Sequence, residues 1–221
     1  YQRVRGAYGA NKAAMREELD AIPREGSGVA IPGILIEACM KEERPILRLA
    51  LDNDFALKGE EYRKSWCEEW IRIHINSALE MLNPDLQHVF GQDFARYGNF
   101  SIIAPLEILQ NLTRRCPFLV EMHNVPSRQQ EQILWHVIER LPQFRGGAMD
   151  ATGPGLTLAE YTADKFGRRL IEEITLNDSW YREHMTPFQD AFADQTIDLM
   201  RDADVLNDLR ALELINGIIK L

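Results

Sequence analysis

The order of short apolar runs between residues 85 and 177 constrains the fold of this chain more than any other feature. Three strand-like runs come first, and a helical segment, a strand, a helix and a further strand follow them. β-Branched and aromatic residues fill these runs, and turn-forming residues separate them. This order predicts an α/β domain in which a mixed sheet is flanked by helices. The strand-like runs are HVFGQD, FSIIAPLEI, FLVEMHNV, GGAMD and RLIEEITL.

Both helices between these strands have recognisable end signals. Ser127 stands where it can cap the first helix, and Gln130 occupies the capping-box position three residues later. Gly167 is expected to end the second helix. Beyond Asn177 the sequence predicts mainly helix, with a short TIDLM run between the helical pieces.

The sequence of residues 1–84 predicts a helical connector rather than a second domain. The stretch IPREGSGVAIPG is rich in proline and glycine, which favour turns over regular structure. A short helix is expected to open at Pro32, and apolar residues at helical spacing from Glu60 to Leu82 predict one long amphipathic helix. Its tryptophans are expected to pack onto the following domain. We therefore divide the chain into a connector at 1–84 and a domain at 85–221.

Composition and chain length exclude several classes of protein. With 45% hydrophobic and 27% charged residues the chain is globular, and no apolar run approaches the roughly 20 residues that cross a bilayer. The three cysteines are odd in number and far apart, which predicts buried thiols rather than disulfides or a zinc knuckle. The first residues include neither an initiator Met nor an apolar signal core, which suggests a piece of a longer protein that is not secreted.

The charge of the chain is unevenly distributed. The net charge of −9 speaks against strong binding to nucleic acid. Residues 93–170, however, carry 9 basic and 8 acidic side chains, while residues 171–221 carry 4 and 11. Eight of the nine cations in the middle segment are arginines, which suit bidentate contact with phosphate. The alternative is a solvated surface that uses arginine.

Common catalytic motifs are missing from the sequence. It contains no GxxxxGK[ST] loop, no GxGxxG after a strand, no HExxH and no GxSxG, so nucleotide-binding loops, zincins and serine hydrolases of these designs lack support. Two carboxylates remain at predicted strand ends: Asp93 in GQDFARYGN and Asp150 in GGAMDATGPG. On neighbouring strands they would repel each other unless a cation lies between them, and such oxygen ligands suit Mg²⁺ or Mn²⁺. The alternative is that each aspartate caps a turn or a helix.

Several separated motifs resemble those of one protein family, in the family's order. Over residues 15–221 the chain resembles the C-terminal part of the large terminase subunit of Mu-like phages. The resemblance implies an RNase H-like nuclease domain, in which the segment REELDAIPREGSG is the exit from an upstream ATPase domain. The motifs are GQDFARYGNFSIIAPLEI, CPFLVEMHNVPSRQQEQILWHVIERLP, MDATGPGLTLAEYTADKFG, SWYREHMTPFQDAFAD and RDADVLNDLRAL.

The resemblance also implies a function and a site. Asp93 and Asp150 would hold two Mg²⁺ or Mn²⁺ ions about 4 Å apart for phosphodiester hydrolysis. The expected substrate is double-stranded DNA, cut during headful packaging in the host bacterial cytoplasm, and the expected partners are the ATPase domain, the portal and the small terminase subunit. Alternatives are an RNase H-like resolvase or transposase, and a docking module of the packaging motor without catalysis.

Two further expectations concern the arginines that contact DNA and a third metal ligand. Arg96 is expected nearest the metals, with Arg114, Arg115 and Arg128 further out along the DNA. The family takes its third acid from a motif that does not occur before Leu221, so this ligand is expected outside the 221 residues and the domain is expected to be incomplete. Asp208, which lies four residues after Asp204 on a predicted helix, is the candidate within the chain.

Overall fold

The computed structural model describes residues 28–95 and 99–220. The N-terminal part of the predicted connector lies outside these ranges, and so does Arg96. Among the described residues, no helix is both long and apolar enough to cross a membrane.

One mixed sheet of nine strands organises the described part of the chain. At its centre β3 pairs antiparallel with β4 and parallel with β7, and β8 pairs parallel with the far side of β7. Both β5 and β6 lie along the other side of β4 and pair with β9 and β2, while β1 lies beside β9. A separate hairpin is formed by β10 and β11. The strands are β1 (Met40–Glu42), β2 (Ile46–Ala50), β3 (Gln87–Asp93), β4 (Ser101–Ile108), β5 (Arg114–Arg115), β6 (Leu119–His123), β7 (Phe144–Asp150), β8 (Ile171–Ile174), β9 (Ile197–Met200), β10 (Glu213–Ile215) and β11 (Ile218–Lys220).

Helices and helical turns flank this sheet. The α-helices are α1 (Gly33–Cys39), α2 (Glu60–Trp70), α3 (Asn76–Leu79), α4 (Ser127–Ile138), α5 (Leu156–Phe166), α6 (Asp178–Ala193) and α7 (Ala203–Arg210). A π-helical turn, Ile71–Ile75, joins α2 to α3, so the predicted long helix is found with one irregular turn inside it. Short 3-10 turns precede α2 and α5.

Of the end signals predicted for α4 and α5, the structure contains one and lacks the other. Gly167 ends α5 with a φ of 106°, as expected of a glycine at this position. Ser127, however, is the first residue of α4 and makes no capping hydrogen bond, because Pro126 takes the cap position. The side chain of Gln130 instead donates to the carbonyl oxygens of Ala95 and Val125, which ties α4 to the segment that follows β3. The predicted capping box was therefore wrong.

Two apolar cores stabilise the fold. The first fills the space between one face of the sheet and helices α2 to α5, and Phe90, Val120, Leu134 and Met149 are among its buried members. Trp70 is buried in this core and Trp66 packs against it, as predicted for the tryptophans of the amphipathic helix. The second core joins α1, α6 and α7 to β1, β9 and β11.

Residues before Pro84 belong to the same sheet as the residues after it. Strand β2 pairs with β6 over its whole length, and β1 pairs with β9. The Arg44 guanidinium, which follows β1, forms a nearly buried ion pair with Asp198 of β9 and also donates to the carbonyl oxygen of Leu199 at 2.7 Å. The boundary expected after Pro84 therefore does not coincide with an edge of the sheet.

A buried carboxylate anchors the β4–β5 end of the sheet. Glu107 is 2% exposed and accepts hydrogen bonds from Arg115 Nε at 2.9 Å and from the backbone N–H of Asn83 at 3.0 Å. His88 Nε2 lies 3.4 Å from its other side. Burial by itself would raise the pKa of Glu107, but His88, Asn83 and Arg115 together lower it to about 2.

This lowered pKa predicts how acid affects stability. A carboxylate with a folded pKa below its ordinary value of 4.5 stabilises the fold above that value, and the contribution is lost as the pH falls towards 2. The variant Glu107→Gln is expected to lower the free energy of unfolding at pH 7 by about 3 kcal/mol and to flatten its dependence on pH between 4.5 and 2. Urea unfolding at several pH values measures both effects. Glu61→Gln, which removes an exposed carboxylate from α2, is the control and should change neither.

Candidate functional site

Two aspartates lie side by side at the ends of the paired strands β3 and β7. Gln92 of β3 faces Met149 of β7, and Asp93 and Asp150 follow one step further along the same parallel register. Because side chains alternate along a strand, both carboxylates point away from the first core, in which Met149 is buried. The structure thus brings the two predicted acids together.

The two carboxyl groups interact. Asp93 is exposed as a residue, yet its carboxyl is partly shielded from water, and this burial is the main reason why its pKa is raised. The negative charge of Asp150 and a hydrogen bond with the Asp150 carboxyl raise the pKa of Asp93 further. A hydrogen bond from the backbone N–H of Phe94 lowers the pKa of Asp93 in part, and no cation is among the causes of the shift.

Short-range contacts fix the segments around the pair. The backbone N–H of Thr152 donates to Asp150 Oδ1 at 2.8 Å, so Asp150 also closes the tight turn that was the alternative prediction. Gly155, just before α5, lies so close that an added Cβ would stand 2.4 Å from the Asp150 carbonyl oxygen. Ser101 Oγ donates to the Asp93 carbonyl oxygen at 2.7 Å. A glycine at 155 is therefore required for α5 to start beside the site.

Helix α6 contributes a side chain that the sequence did not single out. The pKa of Tyr181 is raised, first by burial and then by the charges of Asp150 and Asp93, whereas Lys220 lowers it. Lys220 itself pairs with Asp178 at 3.2 Å. Because α6 and β11 are distant in sequence from β3, only the fold shows that Tyr181 and Lys220 belong to the surroundings of the acids.

The arginines that were predicted to bind DNA lie in separate parts of the structure. Arg128, at the start of α4, lines a cavity of about 380 Å³ together with Phe94 and with Pro154, which follow the two acids in sequence. It is also within 3.3 Å of Glu131. Arg128 therefore shares a cavity with residues that follow the two acids in sequence, while Arg96 lies outside the described residues.

Arg114 and Arg115 lie at the opposite end of the sheet from the acids. They pair with Ile108 and Glu107, and Ile108 faces Gln87 at the start of β3, six residues before Asp93 and thus roughly 20 Å from it. The guanidinium of Arg115 is held by the buried Glu107 at 2.7 Å. Arg114 and Arg115, which were expected further out than Arg96, lie away from the acids because β4 runs antiparallel to β3.

Asp208 is not brought to the acid pair. It is exposed on α7, and α7 packs in the second core. Among residues 28–95 and 99–220, no group of three or more His, Cys, Asp or Glu side chains could hold a metal ion. The described part of the chain therefore supplies two carboxylates, Asp93 and Asp150.

Comparison with known structures assigns the fold. The large terminase nuclease of thermophilic phage G20c with bound magnesium superposes on 65% of this chain and 84% of its own, with a TM-score of 0.52 and 17% identity. Its form with bound zinc superposes on 64% and 88%, with a TM-score of 0.50 and 18% identity. These identities support a likeness of fold alone. The chain is an RNase H-like α/β domain, as predicted.

Sequence comparison identifies relatives of this chain. The chain is 37% identical over 210 residues to "Probable terminase, large subunit gp28" of Escherichia phage Mu, which covers 94% of the chain and 38% of the relative. It is 33% identical over 205 residues to the Mu-like prophage FluMu protein gp28 of Haemophilus influenzae, covering 93% and 40%. No family model matches the chain. The predicted resemblance is confirmed: the chain is a relative of the large terminase subunits of Mu-like phages and spans about two fifths of their length.

The repulsion between the two acids predicts a gain in stability when one charge is removed. A raised carboxyl pKa means that the ionised form of Asp93 opposes folding at neutral pH. Asp93→Asn is therefore expected to melt at an equal or higher temperature than the unchanged chain in buffer with EDTA, by up to about 4 °C. With Mn²⁺ we expect the order to reverse, because Asp93→Asn removes one of the two carboxylates that are predicted to hold the ion. A lower melting temperature in EDTA and an equal gain from Mn²⁺ would contradict this picture of the pair.

Proposed function

We propose that this chain is the metal-dependent endonuclease part of a phage DNA-packaging terminase large subunit and cuts double-stranded DNA. The observation that carries the proposal is the pairing of Asp93 with Asp150 at adjacent strand ends. Two carboxylates held together against their mutual repulsion form a site for a hard cation. The relationship to gp28 of phage Mu and the fold shared with terminase nucleases support the same function.

The donor set fits magnesium or manganese. Carboxylate oxygens are the ligands that these ions prefer, and Asp93 and Asp150 present such oxygens on one face of the sheet. Two bound ions would supply Lewis acidity and an activated water for hydrolysis of a phosphodiester. The G20c nuclease has been solved with magnesium and with zinc, which supports divalent cations as the cofactor class here.

The residues around the pair have separate roles in this proposal. Asp93 and Asp150 hold the cations, and the turn that Thr152 closes fixes the direction of the Asp150 carboxyl. Arg128 contacts the DNA backbone from the start of α4, in the cavity that Phe94 and Pro154 also line. Because phosphate contacts carry no sequence information, an enzyme built in this way cuts with little sequence preference.

The proposal also includes partners and a location. An ATPase domain on the same polypeptide would present DNA to this domain, and the portal and small terminase subunit would complete the packaging machinery. The work would take place in the host bacterial cytoplasm. An acidic domain binds free DNA weakly, which suits a nuclease that cuts only DNA presented by a motor.

Plasmid cleavage tests the proposal directly. The 221-residue chain should nick supercoiled DNA with Mn²⁺ but not with EDTA, and the rate should rise more steeply than in proportion to Mn²⁺ if two ions act. Asp93→Asn and Asp150→Asn should each lower the rate at least 100-fold, because each removes a ligand of the cations. Asp208→Asn removes the same charge from exposed α7 and should keep the full rate.

Each departure from these results has a distinct meaning. Full cleavage by both strand-end variants would exclude the acid pair as the site. Loss of cleavage in Asp208→Asn alone would show that this aspartate reaches the metals. A chain that binds Mn²⁺ through Asp93 and Asp150 but never cuts DNA would favour a docking module over an enzyme.

A further inference from the structure

An arginine-lined groove lies on the sheet beyond the acid pair. It has a volume of about 500 Å³ and runs between the start of β7 and the turn that joins α5 to β8. Its polar lining consists of Arg145, Arg168 and Arg169 with one acid, Glu172, and its floor includes Gly146 and neighbouring small residues. In a chain of net charge −9, a groove lined by three arginines is a local concentration of cationic side chains.

A β-bulge directs Arg145 into this groove. His88 of β3 faces Phe144 of β7, while the next residue of β3, Val89, faces Gly146, so Arg145 is an extra residue without a partner on β3. Bulges of this kind change the direction of a side chain next to a functional site. An added Cβ on Gly146 would stand 2.8 Å from the Leu170 carbonyl oxygen, so the groove floor has no room for a side chain there.

Two of the three guanidinium groups are available to a ligand. Arg168 pairs with Asp164 at 2.7 Å and with Glu173 at 2.9 Å, and these contacts hold it in place. Arg145 and Arg169 are exposed, and neither forms an ion pair with any residue in the described part of the chain. An anion that enters the groove therefore meets free donors without having to break an existing contact.

Part of the groove lining lies on the same face of the sheet as the acid pair. Alternation along β3 puts Val89 and Asp93 on the same side, and along β7 it puts Ala148 and Asp150 there. Gly91 lies between the first two, and a Cβ added to it would meet nothing within 4 Å. The surface between the arginines and the acids is thus open and shallow.

We propose that this groove binds the DNA backbone about half a helical turn away from the phosphodiester that is cut. Arg145 lies five residues before Asp150, which corresponds to roughly 17 Å along a strand, or half of a 34 Å turn of B-DNA. Guanidinium groups bind phosphate in a bidentate manner. Continuity with the acid pair favours DNA over an acidic peptide as the occupant. The inference rests on the proposed nuclease function.

Salt-dependent DNA binding tests the groove separately from cleavage. Affinity for a 30-base-pair duplex is measured by fluorescence anisotropy in EDTA between 25 and 150 mM salt, where no cutting occurs. Arg145→Ala with Arg169→Ala should reduce the slope of log affinity against log salt by about 1.8, because two phosphate contacts are lost. Lys64→Ala with Arg210→Ala removes two exposed cations from α2 and α7 and should leave the slope unchanged. Equal slopes in the two double variants, or no binding by the unchanged chain, would overturn the inference.

Duplex length provides a second readout. An 8-base-pair duplex that covers the acids cannot reach the groove, whereas the 30-base-pair duplex can. With Mn²⁺, the Arg145/Arg169 double variant should cut the long duplex at least tenfold less efficiently than the unchanged chain and the short duplex equally well. An equal loss on both lengths would contradict the proposed distance. Failure of the nuclease function appears differently, as absence of cleavage in the unchanged chain, and leaves the anisotropy result to decide on the groove.

Discussion

The parallel pairing of β3 with β7 is the contact on which the rest of the structure depends. It requires a glycine at position 147, because an added Cβ would stand 2.1 Å from the ring of Phe90 on the neighbouring strand. The Phe90 ring also stacks on Phe144 with centroids 6.0 Å apart, so the start of β7 is fixed against β3 by aromatic packing. From this fixed start the register carries Asp93 and Asp150 to adjacent strand ends.

Two carboxylates at opposite ends of the sheet have pKa shifts in opposite directions. Glu107 at one end of β4 is buried and satisfied by Arg115 and its other partners, and its lowered pKa stabilises the fold. Asp93 at the opposite end of the sheet has a raised pKa and an acidic neighbour, Asp150, so its charge opposes the fold. Buried structural charges are normally paired, and like charges held together are typical of functional sites. The contrast separates a structural carboxylate from a candidate catalytic one within a single sheet.

Local sequence patterns predicted the centre of the sheet and the acid pair, because each strand there is a short apolar run that ends at a turn. They did not predict β1 and β2, whose partners β9 and β6 lie more than 70 residues further along the chain. Nor did they predict the surroundings of Tyr181, which depend on how α6 packs across the sheet. Composition identified the basic middle segment of the chain. The direction of β4 decides how far Arg114 lies from the acids, and a bulge decides that Arg145 faces the groove, and neither can be seen in local sequence.

The bulge at Arg145 links the groove to the site through the register of β7. If Arg145 instead paired with Val89 in a regular ladder, every later residue of β7 would move by one position relative to β3, and each side chain would change to the other face of the sheet. Met149 would then leave the first core, and Asp150 would enter it as a carboxylate among apolar side chains. The irregularity that turns an arginine towards the groove is therefore also the irregularity that turns Asp150 towards Asp93. A single inserted residue sets both features on the same face of the sheet.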